Sequence, residues 1–600
     1  MENIYLERIA ELRTMMQTRD WDAVILTGSD PHNSEYPPER YKQILFLTGF
    51  GGEAAGLAVT ADEAILWTDT RYYIDAKQVL AGSGISLRRQ AKLNSGELAS
   101  WLSEQFQDAE GAQIAIDALT TSAQLEGLLR EAVAGRGELI GVSDLLSPLW
   151  PDRPELPQTP LFTFDSEEGR SAKLAFLREF CRRQQCDGLL LGSLDEVAWT
   201  LDVRAFDIEY TPFVISYLLV TEKEAVWYVL KGSIEDPGSR EALERLAADG
   251  VRIEDYSAAL LLADDLQDGI RLYCNPQCLN AALRDALCAA GIDIVEGDSP
   301  VEARKAIRTE GEIEATRRAH LIDGIAVEKF LFKLEKALEA GQAVSERDAA
   351  LWLGQLRAAN EEYLSDSFET ISAYGPGAAL PHYVVPEENA PLLRRKGLFL
   401  CDSGGQYLCG TTDITRTVPL GECTPLEKED YTLVMKGHIA LSSAIFPEGT
   451  PGCRIDALAR DALWRTRRNF GHATGHGVGF LLSVHEGPEC IRPDLNPTPL
   501  QPGMVVSSEP GIYREGLHGV RHENLMLCVR DSENEFGAWL RFETLTLCHF
   551  DSSALMTELL TKEELDWLNA YNARVYATLS PYLSEEEAAW LREKTSPIIA

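Results

Sequence analysis

No stretch of this sequence approaches the roughly 18 uninterrupted apolar residues that a membrane span needs. Its start, Met1-Glu2-Asn3-Ile4-Tyr5-Leu6-Glu7, lacks the basic opening and apolar run of a secretory signal and is too acidic for a transit peptide. These absences predict a cytoplasmic chain with no membrane partner. No cysteine precedes Cys181 and no CxxC spacing occurs, which argues against a disulfide framework. The thiols, Cys288, Cys528 and Cys548 among them, are expected to be reduced and mostly buried. Positive charge is scarce: 56 Lys and Arg face 94 Asp and Glu, for a formal charge of −38. That balance opposes nucleic acid and anionic lipid and leaves small molecules or peptides as partners.

What is present is length enough for several domains, because a single core stops growing at roughly 250 to 300 residues. The chain contains an internal echo. Asp22-Ala23-Val24-Ile25-Leu26-Thr27-Gly28-Ser29 resembles Asp187-Gly188-Leu189-Leu190-Leu191-Gly192-Ser193, and Val59-Thr60-Ala61-Asp62-Glu63-Ala64-Ile65-Leu66-Trp67 resembles Val220-Thr221-Glu222-Lys223-Glu224-Ala225-Val226-Trp227. In each, a polar turn and strand-like apolar runs suggest two copies of one α/β domain. The proline-dense stretch from Ser147 to Pro157 reads as a linker, and a second boundary falls near Ser299-Pro300. The expected division is 1–155, 156–305 and 306–600. Beyond it, Ala315, Ala319, Ile322, Ala326, Phe330, Leu334 and Leu338 recur at helical spacing, with Thr309 and Glu312 as a capping box and Gly341 as the stop. The third part carries no copy of the repeat, yet it holds every histidine except His32.

Chemistry is therefore sought there. Asp402 ends the apolar run Gly397-Leu398-Phe399-Leu400-Cys401, and Asp413 follows a glycine-rich turn. Two antiparallel strands joined at that turn would set the carboxylates side by side. A second hairpin is expected from Val505-Val506-Ser507-Ser508-Glu509, returning through Gly519-Val520-Arg521-His522-Glu523-Asn524-Leu525, and it supplies Glu509 and Glu523. Between them, Gly471-His472-Ala473-Thr474-Gly475-His476-Gly477 offers the His476 ring beside glycines that permit close backbone approach. Acids held together in an apolar setting repel, so one takes a proton or both share a cation. Four carboxylates and one imidazole suit two divalent ions. An oxygen-rich shell favours harder ions such as Mn²⁺, while affinity order leaves Zn²⁺ and Co²⁺ open.

At these residues the sequence resembles the pita-bread metallopeptidases and, within them, the long three-domain aminopeptidase P (Xaa-Pro aminopeptidase) family. The matching segments include Asp402-Ser403-Gly404-Gly405-Gln406-Tyr407, Gly410-Thr411-Thr412-Asp413-Ile414-Thr415-Arg416-Thr417, Thr474-Gly475-His476-Gly477-Val478-Gly479, His485-Glu486-Gly487-Pro488 and Glu509-Pro510-Gly511-Ile512-Tyr513, all in family order. The resemblance implies an α/β (α+β) chain with two creatinase-like N-terminal domains, a catalytic pita-bread domain and a homodimer. It further implies Asp402, Asp413, His476, Glu509 and Glu523 as metal ligands, with Asp413 and Glu523 bridging both ions, and His382, His472 and His485 around the substrate. The implied reaction is hydrolysis before a penultimate proline by a metal-bridging hydroxide, with Glu509 moving the proton.

Arg521 and Tyr513 are expected to support the ligands. Strand alternation points His522 away from the Glu523 face and makes Cys401 a packing thiol. Ala473 stands where the family usually has glycine. Two alternatives accompany this reading: a prolidase-type Xaa-Pro dipeptidase with the same five ligands, and a noncatalytic peptide-binding protein on the same fold.

Overall fold

The computed structural model describes residues 4–52, 54–90, 96–266 and 269–599; Met1 to Asn3 of the N-terminal stretch lie outside them. The chain forms two compact units, Met1–Val301 and Glu302–Ala600.

The first unit contains the duplication. One six-stranded sheet runs Ser86–Arg89, Ala64–Thr68, Ala55–Thr60, Ala23–Thr27, Ala112–Asp117 and Gly137–Val142; the other runs Val251–Asp255, Ala225–Val229, Ser216–Thr221, Gly188–Leu191, Arg271–Cys274 and Asp293–Glu296. The pattern of parallel and antiparallel pairs is the same in both. The repeated residues do the same work twice. Asp22 Oδ2 accepts from the Gln113 amide at 2.7 Å, and Asp187 Oδ2 accepts from the Arg271 amide at 2.8 Å. Thr60 and Thr221 each accept, through their hydroxyls, from the amide three residues on, at 3.0 and 3.2 Å. In each copy the threonine closes the turn between the two apolar strands.

His32, the histidine outside the third part, is buried where the copies meet: its Nδ1 lies 2.8 Å from the Gly192 carbonyl oxygen and its Nε2 2.8 Å from the Tyr256 hydroxyl. A carbonyl only accepts, so Nδ1 carries the proton and Nε2 accepts from tyrosine.

The second unit opens with the predicted helix, Glu310–Glu339, whose N-terminus is closed by the reciprocal Thr309 and Glu312 bonds. Gly341 follows its end in the left-handed region, with φ +74°. Ala319, Ala326, Phe330, Leu334 and Leu338 are buried on one stripe of this helix. The core is completed by Pro425–Ser442 and the C-terminal helices Lys562–Leu579 and Glu585–Lys594, through Val434, Met435, Leu568, Val575 and Leu591.

Against these helices stand a three-stranded sheet, Ile371–Tyr374, Leu398–Ser403 and Ile414–Pro419, and a six-stranded one. The latter is ordered Ile445–Pro447, Gly537–Thr544, Asn524–Asn534, Val505–Ser508, Gly475–Gly477 and Glu486–Ile491.

Among the described residues no helix is long and apolar enough to cross a membrane. All twelve cysteines are free thiols and eight are buried, but Cys288 is exposed. It lies near the end of the helix Ala281–Ala289, whose buried face is carried by Ala281, Leu283 and Leu287.

Candidate metal centre

The first carboxylate pair arises as the strand pattern predicts. Leu398–Ser403 and Ile414–Pro419 are antiparallel, with Asp402 opposite Thr415 and Ser403 opposite Ile414, so Asp413 enters just beside Asp402.

The second expected hairpin is differently built. Val505–Ser508 does pair with Asn524–Asn534, but Gly511–Arg514 and His518–Arg521 form a separate two-stranded ribbon between them. His522 and Glu523 therefore lie in a break between strands, and simple alternation does not apply there. His522 is fully buried against Tyr431 and Phe550, with ring centroids at 4.4 and 5.6 Å. Cys401 packs in the core, where burial pushes its thiol up to about 12.

The His476 strand fits beside the second pair because its glycines leave room. A Cβ on Gly475 would fall 2.0 Å from the Ser507 carbonyl oxygen, and one on Gly477 would fall 2.5 Å from that of Glu486. His476 Nδ1 lies 2.9 Å from its neighbour's carbonyl at Gly477 and so donates there. Nε2 is left as the acceptor, 3.5 Å from Asp413 Oδ2 and 3.4 Å from Glu509 Oε1.

Donor atoms within 4.8 Å of one another group Asp402 with Asp413 and Glu523, His476 with Glu509 and Glu523, and Asp413 with His476 and His485. Glu523 belongs to both carboxylate-rich groups, and Asp413 reaches from Asp402 to His476. Asp402 Oδ1, Asp413 Oδ1 and Glu523 Oε1 are buried with no hydrogen-bond donor. Orphaned buried carboxylate oxygens are costly unless something positive meets them. The donor set, four carboxylates and one imidazole presenting a bare nitrogen, fits a pair of divalent cations.

The electrostatics agree. Burial first, then Asp413, Glu509 and Asp402, lifts Glu523 well above the usual carboxylate range. Burial also raises Asp402, with Arg521 opposing, and takes Glu509 to about 7. Burial and the His485 ring oppose a charge on His476, but Asp413 and Glu509 outweigh them and raise it.

Surrounding groups fix these side chains. Arg521 turns Nε and a terminal nitrogen onto Asp402 Oδ2 and donates to the Tyr513 hydroxyl at 2.7 Å. Tyr513 in turn lies 2.8 Å from His472 Nε2. The His485 ring meets His476 edge-on at 4.4 Å between centroids. His382 is half-buried in a turn after Pro381, whose carbonyl accepts from Arg521 at 3.5 Å. Neither His382 nor His472 belongs to the close donor groups among the described residues. Ala473 is outside the left-handed region, so its Cβ causes no backbone strain.

Sequence reasoning passed over Thr415, whose hydroxyl donates to Glu523 Oε2 at 2.7 Å, and Ser507, whose hydroxyl accepts from the His476 amide at 3.0 Å. Thr415 lies two residues after Asp413, a spacing that puts extended side chains on one face and could have marked it. Ser507 is two before Glu509, by the same logic.

The metallopeptidase family M24 profile matches residues 314–530, with its C-terminal region at 538–598. The creatinase/prolidase N-terminal domain profile matches twice, at 8–149 and 152–312. A probable Xaa-Pro aminopeptidase P from Laccaria bicolor is 35% identical over 99% of this chain and 93% of its own. Aminopeptidase P1 of Arabidopsis thaliana is 33% identical over 99% of both chains.

Among solved structures, the X-prolyl aminopeptidase of Caenorhabditis elegans, described as a cytosolic enzyme with a di-nuclear active site, superposes with a TM-score of 0.92. It is 32% identical and covers 99% of this chain and 100% of its own. The Xaa-Pro dipeptidase of Bacillus anthracis, at 26% identity and a TM-score of 0.50, covers 63% of this chain and 98% of its own. With two creatinase-like domains ahead of a pita-bread domain, and relatives matched end to end, the chain belongs to the aminopeptidase P family of M24 metallopeptidases.

Proposed function

We propose that this protein is a metallo-aminopeptidase that hydrolyses the bond between the N-terminal residue and a penultimate proline. The observation that carries the reading is the convergence of Asp402, Asp413, His476, Glu509 and Glu523 around three buried oxygens that have no donor. Those five residues would hold two divalent cations, with Asp402, Asp413 and Glu523 grouped at one side of the centre and His476, Glu509 and Glu523 at the other. The oxygen-rich set suits a hard ion such as Mn²⁺, and affinity order leaves Zn²⁺ and Co²⁺ open. When bound, such a pair supplies Lewis acidity that acidifies water and polarises a carbonyl.

The chain's own groups do the rest. Glu509 accepts the proton of the attacking water on its carboxylate and delivers it to the departing imino nitrogen of proline. His382 and His485 donate hydrogen bonds to the substrate as negative charge develops on the carbonyl oxygen. His472, tied to Tyr513, helps close the substrate site. Arg521 orients Asp402 and offsets part of the cost that burial puts on its charge. Proline matters because its nitrogen carries no hydrogen and its ring fixes the chain.

We divide the chain functionally at 1–155, 156–305 and 306–600, place it in the cytoplasm, and take the active form to be a homodimer. A dipeptidase reading is disfavoured, since the similar Xaa-Pro dipeptidase covers only 63% of this chain. A noncatalytic peptide-binding role gives no reason to bury three donorless carboxylate oxygens.

Incubating the purified protein with Mn²⁺ and Arg-Pro-Pro tests the function: release of free arginine, abolished by chelation and restored by Mn²⁺, is expected. Cleavage confined to dipeptides would favour the prolidase alternative, and a metal-free, inactive but folded protein would favour the noncatalytic one.

A further inference from the structure

Residues 466–474, between the helix Asp456–Arg465 and the strand Gly475–Gly477, have no regular structure. Their buried carbonyls cannot be satisfied by a ladder and need donors from elsewhere. The donors come from one turn of the preceding helix. Asp456 and Arg460 are spaced i, i+4, so they share a face, and they are only 2% and 1% exposed. Arg460 Nε donates to Asp456 Oδ2 at 2.7 Å. Its terminal nitrogens donate to the Phe470 carbonyl at 2.8 Å, the Asn469 side-chain oxygen at 3.2 Å and the His472 carbonyl at 2.9 Å. The guanidinium also lies 3.8 Å over the Phe470 ring. Asp456 Oδ1 accepts from the Thr474 hydroxyl at 2.5 Å.

The clamped segment leads into the metal centre at two points. The Thr474 carbonyl accepts from the Glu509 amide at 2.8 Å, fixing the backbone of one ligand. The His472 ring reaches the Tyr513 hydroxyl, which accepts from Arg521, and Arg521 grips Asp402.

We infer that Asp456 and Arg460 are positioning residues that set His472 against Tyr513 beside the metal centre and Thr474 under Glu509; this rests on the function proposed above. Neither touches a reacting atom. Their effect is transmitted through the carbonyls they hold, and a guanidinium is needed because a lysine ammonium cannot fan its donors over three acceptors while also binding the Asp456 carboxylate.

The test uses full-length, Mn²⁺-loaded enzyme with Arg-Pro-Pro, comparing wild type with Arg460→Lys, Thr474→Val, His472→Ala and Arg460→Lys/His472→Ala. Metal content and melting are measured on each. Arg460→Lys is expected to keep its two metal equivalents and, although it melts lower because buried acceptors lose donors, to remain fully folded at the assay temperature. Its kcat is expected to fall about 10- to 100-fold, the scale of a small misplacement of a positioned group, with KM changing less. Thr474→Val, which removes a single hydroxyl, is expected to lose about 3- to 10-fold by the same route. The double variant is expected to lose clearly less than the product of the two single losses, because both changes act in part through His472.

Unchanged kcat in Arg460→Lys, or a loss that multiplies fully with that of His472→Ala, would overturn the positioning role. So would a loss that simply follows missing metal or unfolding. Wild-type protein that leaves Arg-Pro-Pro intact would instead contradict the function on which the inference rests.

Discussion

Arg521 grips a single oxygen of Asp402, its Nε at 3.1 Å from Oδ2, while Oδ1 of the same carboxylate is buried without a donor. One carboxylate is thus divided between a permanent guanidinium and a place for a cation. Replacing Arg521 by Gln removes the charge that opposes the upward push of burial on Asp402. Metal affinity and kcat/KM are each expected to fall about 10- to 100-fold, the usual consequence of losing a group that orients a ligand. Isothermal titration of the apo-protein with Mn²⁺ checks this, and unchanged affinity would show that Asp402 needs no such support.

Thr415 stands behind the other shared carboxylate, donating to Glu523 Oε2 while Arg521 Nε lies 3.1 Å from its hydroxyl. Thr415→Val keeps the shape and removes the hydrogen bond. A loss of about 1 kcal/mol in metal binding, or roughly fivefold in affinity, is expected. An effect on melting but none on metal binding would reduce Thr415 to a packing residue.

The C-terminal helices contribute through Arg416. This guanidinium is 2% exposed and donates to the carbonyls of Glu523 at 2.6 Å, Cys548 at 2.7 Å and His549 at 3.1 Å, and to the Tyr571 hydroxyl at 2.9 Å. Arg416→Met would strand those buried acceptors. A loss of about 3 kcal/mol or more is expected, lowering the melting transition of the catalytic unit by about 6 °C or more. A variant melting with wild type would contradict the hub role.

These dependencies mark the limit of what can be read from the chain alone. The helix after Thr309 was legible because its caps and apolar stripe lie within one continuous stretch, and the duplication because Asp22 and Asp187 begin matching strands. The five candidate ligands stood out because glycine turns and short apolar runs bracket them. Thr415 did not, since its partner Glu523 is 108 positions away. Nor did Arg460, whose neighbours look like any amphipathic helix until its guanidinium is seen wrapped in loop carbonyls. The ribbon Gly511–Arg514 with His518–Arg521 was also missed, because alternation carries no signal for a strand that breaks at His522 and resumes at Asn524.

Glu489 supplies a pH prediction outside the candidate ligands. It is 2% exposed, Oε2 has no hydrogen-bond partner, and burial lifts its carboxyl from 4.5 to about 7, with Lys305 and Arg308 offsetting only part. A folded pKa above the unfolded one means that its stability contribution is complete below pH 4.5 and disappears as pH rises through about 7. Glu489→Gln removes the ionisation. Its melting temperature is expected to match wild type near about pH 5 and to exceed it near about pH 8, by about 2 to 4 °C per kcal/mol of relieved charge. Thermal scans across that range decide it, and a variant less stable than wild type at the alkaline end would contradict the assignment.

The most direct measurement is turnover of Arg-Pro-Pro by Asp413→Asn at saturating Mn²⁺, beside wild type and with circular dichroism of both. Asp413 reaches from Asp402 to His476, so on the proposed assignment an amide there would weaken the whole metal pair. We predict a loss of about 100-fold or more in kcat with the fold retained. Undiminished turnover would contradict a metal pair held by these five side chains.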